Sequence, residues 1–196
     1  MAETVTPYRT PTALLPSDAY YIAGVLTGTF VALSTGTLTV GRLIAAPFVA
    51  PKRLTIDRLG FSVTTVGGSG SKTRCGIYTN TPDTNYPKDL LVDGGEYDTS
   101  SVGGTGFKVT TVSLSLEPGV LYWFAALAGT AAPTVKIIDS GSSLMFGFDA
   151  NFVNRQNGWF VNRTYGALPS TYPGSAVITP GSDNIPAIGV RISAIA

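Results

Sequence analysis

An all-β chain, folded as an antiparallel β-sandwich of jelly-roll type behind an extended N-terminal arm, is predicted by three observations. Apolar residues recur at period two in several runs, and no stretch keeps a 3.6-residue period over ten or more positions. The 196 residues include 23 Gly, 13 Pro, 25 Thr and 16 Ser, a vocabulary of turns and pleated surfaces. Roughly eight to ten short strands, some joined by long connections, suit two packed antiparallel sheets. An immunoglobulin-type sandwich is the alternative, but its Cys…Trp…Cys spacing is absent and a core of roughly 160 residues is large for it.

Residues 1–36 read as the arm with short β segments, and 37–196 as the sandwich. Pro7, Pro11 and Pro16 exclude a helix or a central strand from 1–19. Tyr20 to Leu26 and Phe30-Val31 are short β-prone runs broken by Gly24 and Gly28, and Leu38 to Ile44 is a strand candidate closed by Pro47 and Pro51. In 54–65, Leu54 and Ile56 take one phase while Leu59, Phe61 and Val63 take the other, so a bulge is predicted near Asp57-Arg58. Gly67 to Ser71 reads as a flexible connector, with Thr73 to Thr79 answering across it as a hairpin. Residues 80–106, punctuated by Asn, Pro and Gly, read as a long surface excursion with at most one strand.

The stretch 105–127 reads as the organising hairpin. Phe107 and Val109 alternate in one phase, and Val112, Leu114 and Leu116 in the other. The slip at Thr110-Thr111 predicts a bulge that returns all of them to the buried face. Pro118-Gly119 encodes a type II turn, and Val120 to Leu127, apolar on both faces around Tyr122, Trp123 and Phe124, suits a central strand. Val135 to Ile138 and Leu144 to Phe148 are further strands, 149–183 is the longest loop, and Ile188 to Ile195 closes the chain as a strand.

The net charge of +1, from 13 basic and 12 acidic residues, gives no electrostatic footprint for nucleic acid or an anionic membrane. Charged residues make up only 13% on a chain that is 44% hydrophobic, against a usual ~25% charged, which suits a subunit living inside an assembly. Cys75 is the sole cysteine and reads as a small buried hydrophobe, with no internal disulfide and no Cys-based metal site. The N-terminus lacks the pattern of a signal peptide, and the longest apolar stretch, Val120 to Ala132, falls short of the ~20 residues of a membrane helix. The expectation is a soluble protein made in the cytosol.

The absence of histidine removes the usual general base, the Ser-His-Asp and Cys-His arrangements and the commonest metal ligand. The acidic residues Asp83, Asp89, Asp93, Glu96 and Asp98 carry no glycosidase motif and match no EF-hand spacing, so no enzyme, metal or cofactor is expected. A different constellation stands out, in which Phe152-Val153-Asn154-Arg155 is echoed by Phe160-Val161-Asn162-Arg163, with Trp159, Tyr165 and Tyr172 nearby. Aromatic faces stack on sugar rings while Asn amides and Arg forks bond hydroxyls and carboxylates, so Trp159, Tyr165, Tyr172, Asn154, Arg155, Asn162 and Arg163 are candidate receptor contacts. The same residues suit a subunit interface, or a strand whose phenylalanines face the core beside solvated arginines.

From Pro47 to about Ile138 the chain resembles jelly-roll modules of tailed-bacteriophage virion proteins, especially tail-fibre and spike tips. The resemblance rests on PFVAPKRLTIDRLGFSVTT (47–65), CGIYTNT (75–81), YPKDLLVDGGEYDTS (86–100), SLEPGVLYWFAAL (115–127) and PTVKII (133–138), taken in that order. It implies a virion protein acting as a receptor-binding adhesin subunit of the tail. A capsid decoration subunit is the alternative, and an enzyme acting on surface polysaccharide ranks last. It also implies a homo-oligomer, most plausibly a trimer exchanging arms, with other virion proteins and host-surface glycan as partners.

Overall fold

The structure, a computed structural model, describes residues 20–22, 33–138, 147–148, 155–180 and 184–195, with 147–148, 155–156 and 178–180 in backbone only. Among them there is no helix. The strands, in chain order, are β1 (Tyr20–Ile22), β2 (Leu33–Thr37), β3 (Arg42–Val49), β4 (Leu54–Thr65), β5 (Lys72–Thr81), β6 (Tyr86–Asp98), β7 (Gly106–Leu116), β8 (Leu121–Ala128), β9 (Thr134–Ile138), β10 (Gly147–Phe148), β11 (Arg155–Asn162), β12 (Val177–Pro180) and β13 (Gly189–Ile195). Two antiparallel sheets result. One runs β1-β13-β4-β9-β2 with β7 on the free side of β4; the other runs β10-β11-β3-β8-β5-β6, with β12 also on β11. The protein is therefore an all-β sandwich.

The eight strands β2 to β9 pair as a nested ribbon, β5 with β6, β4 with β7, β3 with β8 and β2 with β9. Successive strands of the ribbon mostly change sheet, and this overturns two expected hairpins. Strands β7 and β8 do not pair across Pro118-Gly119; β7 bonds β4, and β8 lies between β3 and β5. The turn itself forms, with Gly119 at φ 72° and the Val120 N–H reaching the Glu117 carbonyl at 3.4 Å, but it carries the chain from one sheet to the other. Likewise β4 and β5 stand in different sheets, so the glycine-rich 67–71 connector is a crossover.

Both predicted slips are real. Opposite β13, β4 bulges at Asp57, which buries Leu54 and Ile56 before the slip and Leu59, Phe61 and Val63 after it. Opposite β4, the extra residue of β7 falls at Val112-Ser113, and it does not return every apolar side chain to the core. Val112 and Leu116 are buried, while Phe107 and Val109 remain 44% and 42% exposed. Pro47, expected to close a strand, lies inside β3; it pairs with Trp123 on β8, and β11 pairs only with Arg42 to Ala45, so no ladder bond is wanted from its missing N–H. Residues 86–98 supply the one strand allowed to the 80–106 stretch, and it is the longest of the second sheet, while 149–183, expected as a loop, contribute β11 and β12.

The main core, between the sheets, gathers Leu54, Ile56, Leu59, Phe61 and Val63 from β4 with Tyr122, Phe124, Ala126 and Ala128 from β8. The intervening residues of β8, Trp123, Ala125 and Leu127, enter a second core on the outer face of that sheet, with Leu43, Tyr78, Val161, Leu168 and Tyr172. This is why β8 is apolar on both faces: residues 163–176 cross the outer face as a third layer. Cys75 lies in the main core, where its thiol donates to Tyr97 Oη at 3.5 Å and burial pushes it up to about 12.

Candidate functional site

Apart from Asn154, the residues singled out for binding lie on β11 and on the segment that follows it. Strand alternation divides them at once. Trp159 and Val161 point into the second core, while Phe160 faces the opposite side of β11, joins a third cluster with Ile44 and Ile185, and lies 4.3 Å below the guanidinium of Arg42. Asn162, exposed, shares the parity of Phe160 and so the face opposite Trp159. After Asn162 the Arg163 N–H bonds the Gly41 carbonyl at 2.7 Å, and the chain turns back over the second sheet.

Backbone and tyrosine hydrogen bonds hold that returning segment down. Tyr78 Oη donates to the Pro169 carbonyl at 3.0 Å, the Leu90 N–H to Ser170 O at 2.9 Å, and the Tyr172 N–H to Lys88 O at 2.7 Å. The Tyr172 hydroxyl lies 3.1 Å from the carbonyls of both Leu43 and Trp159, and Tyr86 Oη donates to the Pro173 carbonyl. Three tyrosines and a tryptophan make a continuous aromatic stack: Tyr78 with Tyr172 at 5.3 Å, Tyr172 with Tyr86 at 6.0 Å, and Tyr86 with Trp159 at 4.7 Å. Edge-to-face pairs at such distances contribute beyond the area they bury. The fit at Leu168 is close, since a Cβ on Gly76 would stand 2.5 Å from its Cδ1.

The placement of each candidate follows. Tyr172 is 3% exposed and its phenol is pushed well up by burial; it is a core residue and not a surface contact. Trp159 is half-buried, with its indole N–H on the carbonyl of Asn85 at 2.9 Å. Tyr165 is half-buried 3.2 Å from Glu96 Oε2, and burial, with that carboxylate beside it, raises its phenol. Arg163 is half-buried, and its Nε is buried without a hydrogen-bond partner among the described residues. Arg155 pairs through its backbone with Phe148, and Asn154 lies outside the described residues. The structure therefore joins Trp159 to Tyr86 and Tyr165 to Glu96, while it turns Asn162 away from Trp159.

Sequence reasoning missed Tyr86 and Asn85, which complete the Trp159 rim, and their only signal was an Asn-Tyr-Pro run that also reads as a turn. It also missed a groove of about 490 Å³ between the sheets, lined chiefly by Pro82, Leu91, Leu114, Val120, Leu121 and Tyr122. The acidic residues of 83–98 are mostly engaged with cations. Asp93 meets Arg74 at 3.1 Å, Glu96 and Asp98 meet Lys72 at 3.5 and 3.9 Å, and the Ser100 hydroxyl and amide hold the Asp98 carboxyl below its usual value. Among the described residues no three His, Cys, Asp or Glu side chains are grouped so as to hold a metal ion.

The fold and this surface define the class: a two-sheet all-β sandwich with a third layer, whose candidate site is a rim of ring faces and amides. Comparison of the sequence with family models and with curated proteins finds no match.

Proposed function

We propose that the chain is a virion subunit of a tailed bacteriophage that binds the host receptor at the tail-fibre or spike tip. The nested pairing of β2 to β9 supports reading the fold as a jelly roll, in keeping with the resemblance carried by residues 47–138. One observation carries the binding role: Trp159 and Tyr86, both half-buried at the edge of the second core, pair at 4.7 Å, with the indole fixed on Asn85 O and the layer beneath fixed by tyrosine hydrogen bonds. Such a rim is organised before binding and presents ring faces beside amides, as a sugar requires. The chain acts as a homo-oligomer, a trimer, and performs no reaction. Purified protein should compete with phage for adsorption to host cells, and Trp159→Ala, shown to be folded by its β-type circular dichroism, should lose that competition. Undiminished competition by the variant refutes the assignment, and light scattering of the intact protein checks the trimer.

A second reading, a capsid decoration subunit, is favoured by the nearly uncharged strand β7, paired among the described residues on one side only and with Phe107 and Val109 exposed, an assembly surface rather than a receptor surface. Copy number separates the two: a handful per particle fits the tail tip, and a copy at every capsid lattice position fits decoration. An enzyme acting on polysaccharide ranks third, and new reducing ends on incubation with host polysaccharide would move it to first.

A further inference from the structure

We infer that the outer face of the first sheet carries a second binding site, for a sugar residue bearing a carboxylate, built from Arg58, Tyr20 and Phe107. The register lays the site out. Tyr20 of β1, Arg191 of β13 and Arg58 of β4 are paired in one row across the sheet, and Gly189 pairs with Gly60 in the next. Leu59 and Phe61, of the opposite parity on β4, are buried in the main core, so both rows belong to the outer face. Phe107 pairs with Ser62, one row further on, and shares that face. The paired glycines carry no side chain. Tyr20 leans over the first of them, its Cδ1 3.7 Å from where a Cβ on Gly189 would stand, and meets the Phe107 ring edge-on at 4.5 Å. Tyr20 is half-buried and Phe107 44% exposed, so the pair is a shelf of ring surface open to solvent.

Charge on this face selects the ligand. Asp57, at the β4 bulge, is held by Arg191 through both oxygens, Nε to Oδ1 at 2.9 Å and Nη2 to Oδ2. Arg58, directly opposite Arg191, is left outside that fork. It approaches Asp57 Oδ2 only to 3.6 Å, its Nη1 donates to the Asp57 carbonyl at 2.8 Å, and among the described residues its Nε and Nη2 meet no acceptor. Like charges directly opposite on neighbouring strands repel, and the carboxylate between these two is already spent on one of them. The contrast lies in the same molecule: Arg53, Arg74 and Lys88 each have, among the described residues, a carboxylate to themselves within 4 Å. A carboxylate from a ligand supplies the missing anion, and a planar guanidinium takes it bidentately through Nε and Nη2. From Arg58 to Gly60 is two strand residues, about 6.5 Å, a distance that one sugar residue spans. A carboxylate seated on Arg58 therefore sets its own ring over the glycine floor and against the shelf, where an apolar ring face gains from aromatic contact.

The site lies on the sheet opposite the one that carries the Trp159 rim and does not depend on the receptor reading. It is tested on the isotope-labelled full-length protein by NMR titration with methyl glucuronide, methyl glucoside and acetate. The glucuronide should shift the amides of Arg58, Gly60, Phe107 and Arg191 saturably, and the glucoside and acetate should each bind at least about tenfold more weakly, since one lacks the charge and the other the ring. Arg58→Gln, with its β-type circular dichroism intact, should weaken glucuronide binding about tenfold and Phe107→Ala several-fold. Arg53→Gln, which removes an equal charge from an exposed pair with Glu117, should leave binding unchanged. No saturable shift at those amides, or equal losses in Arg58→Gln and Arg53→Gln, would overturn the inference. Equal affinity for acetate would make this a simple anion site, and equal affinity for the glucoside would remove the role of Arg58; either result overturns it too.

Discussion

Trp123→Ala tests the double-sided burial of β8 most directly. The side chain is 0% exposed, is among the largest fully buried groups, and donates its indole N–H to Asn80 Oδ1 at 2.9 Å. It lies in the second core with Leu43, Tyr78 and Tyr172, and these neighbours are themselves fixed by ladder bonds or by tyrosine hydroxyls, so they cannot collapse into the space left by an indole. Truncation should therefore fall in the range of a poorly relaxing cavity, about 3–5 kcal/mol. At this chain length that corresponds to a melting temperature lower by roughly 6–20 °C. Trp123→Phe keeps most of the buried area and removes the N–H, so it should cost only about 1–2 kcal/mol. Urea unfolding of both variants, followed by circular dichroism with the slope held common, measures the difference. If Trp123→Ala costs less than about 1 kcal/mol, the third layer is not packed on β8 and the second core is wrong.

Three further perturbations read other parts of the molecule. Asp57 accepts from Arg191 at 2.9 Å, and that bond holds its carboxyl below the usual value; its contribution is therefore present above the unfolded value of 3.8 and is lost as pH falls through the lower folded value. The stability gap between wild type and Asp57→Asn should accordingly be constant near neutrality and close only below about pH 4 in an acid titration. Cys75, buried with its thiol pushed up to about 12, should resist an aromatic disulfide reagent at pH 8 and react at once in denaturant; fast native labelling would contradict its burial. Gly60→Ala should cost about 3 kcal/mol and loosen β7, because the added Cβ would stand 2.1 Å from the Lys108 carbonyl, whereas Gly119→Ala, with open space but φ +72°, should cost about 1. Equal losses in the two glycine variants would sink that distinction.

Strand identity was legible wherever one face was buried and the other wet. In β4 and β13 the alternation of Leu59, Phe61 and Val63, or of Val190 and Ile192, gives both strand and facing, and the Asp57 bulge shows as a break in phase. Partner choice was not legible. Pro118-Gly119 makes the same turn whether the chain doubles back on its own strand or passes to the opposite sheet, so local turn chemistry leaves the pairing of β7 and β8 undetermined. The candidate site was only partly legible for a related reason. Tyr172 and Trp159 have the composition of a contact surface, but tyrosine hydroxyls can equally be spent on backbone carbonyls in a third layer, as Tyr172 spends its own on Leu43 and Trp159. Strand β11 was overlooked because Gln156, Asn157 and Gly158 interrupt its apolar pattern at a register shift against β12.

The nested ribbon also constrains the order in which the native state can be assembled. Its innermost pair, β5 with β6, joins Thr81 to Tyr86 across a tight connection, whereas the outermost brings together Thr37 and Thr134, 97 residues apart. Closing the outer pair directly from an open chain costs more loop entropy, at about 0.6 kcal/mol for each doubling of length, and such non-local pairing slows folding. If the inner pair zips first, each later pair closes a loop already shortened by the one inside it, so β4 with β7, then β3 with β8, then β2 with β9 need only small additional searches. A lesion at the 82–85 tip of the ribbon would then lower the folding rate, while one in β2 would chiefly raise the unfolding rate.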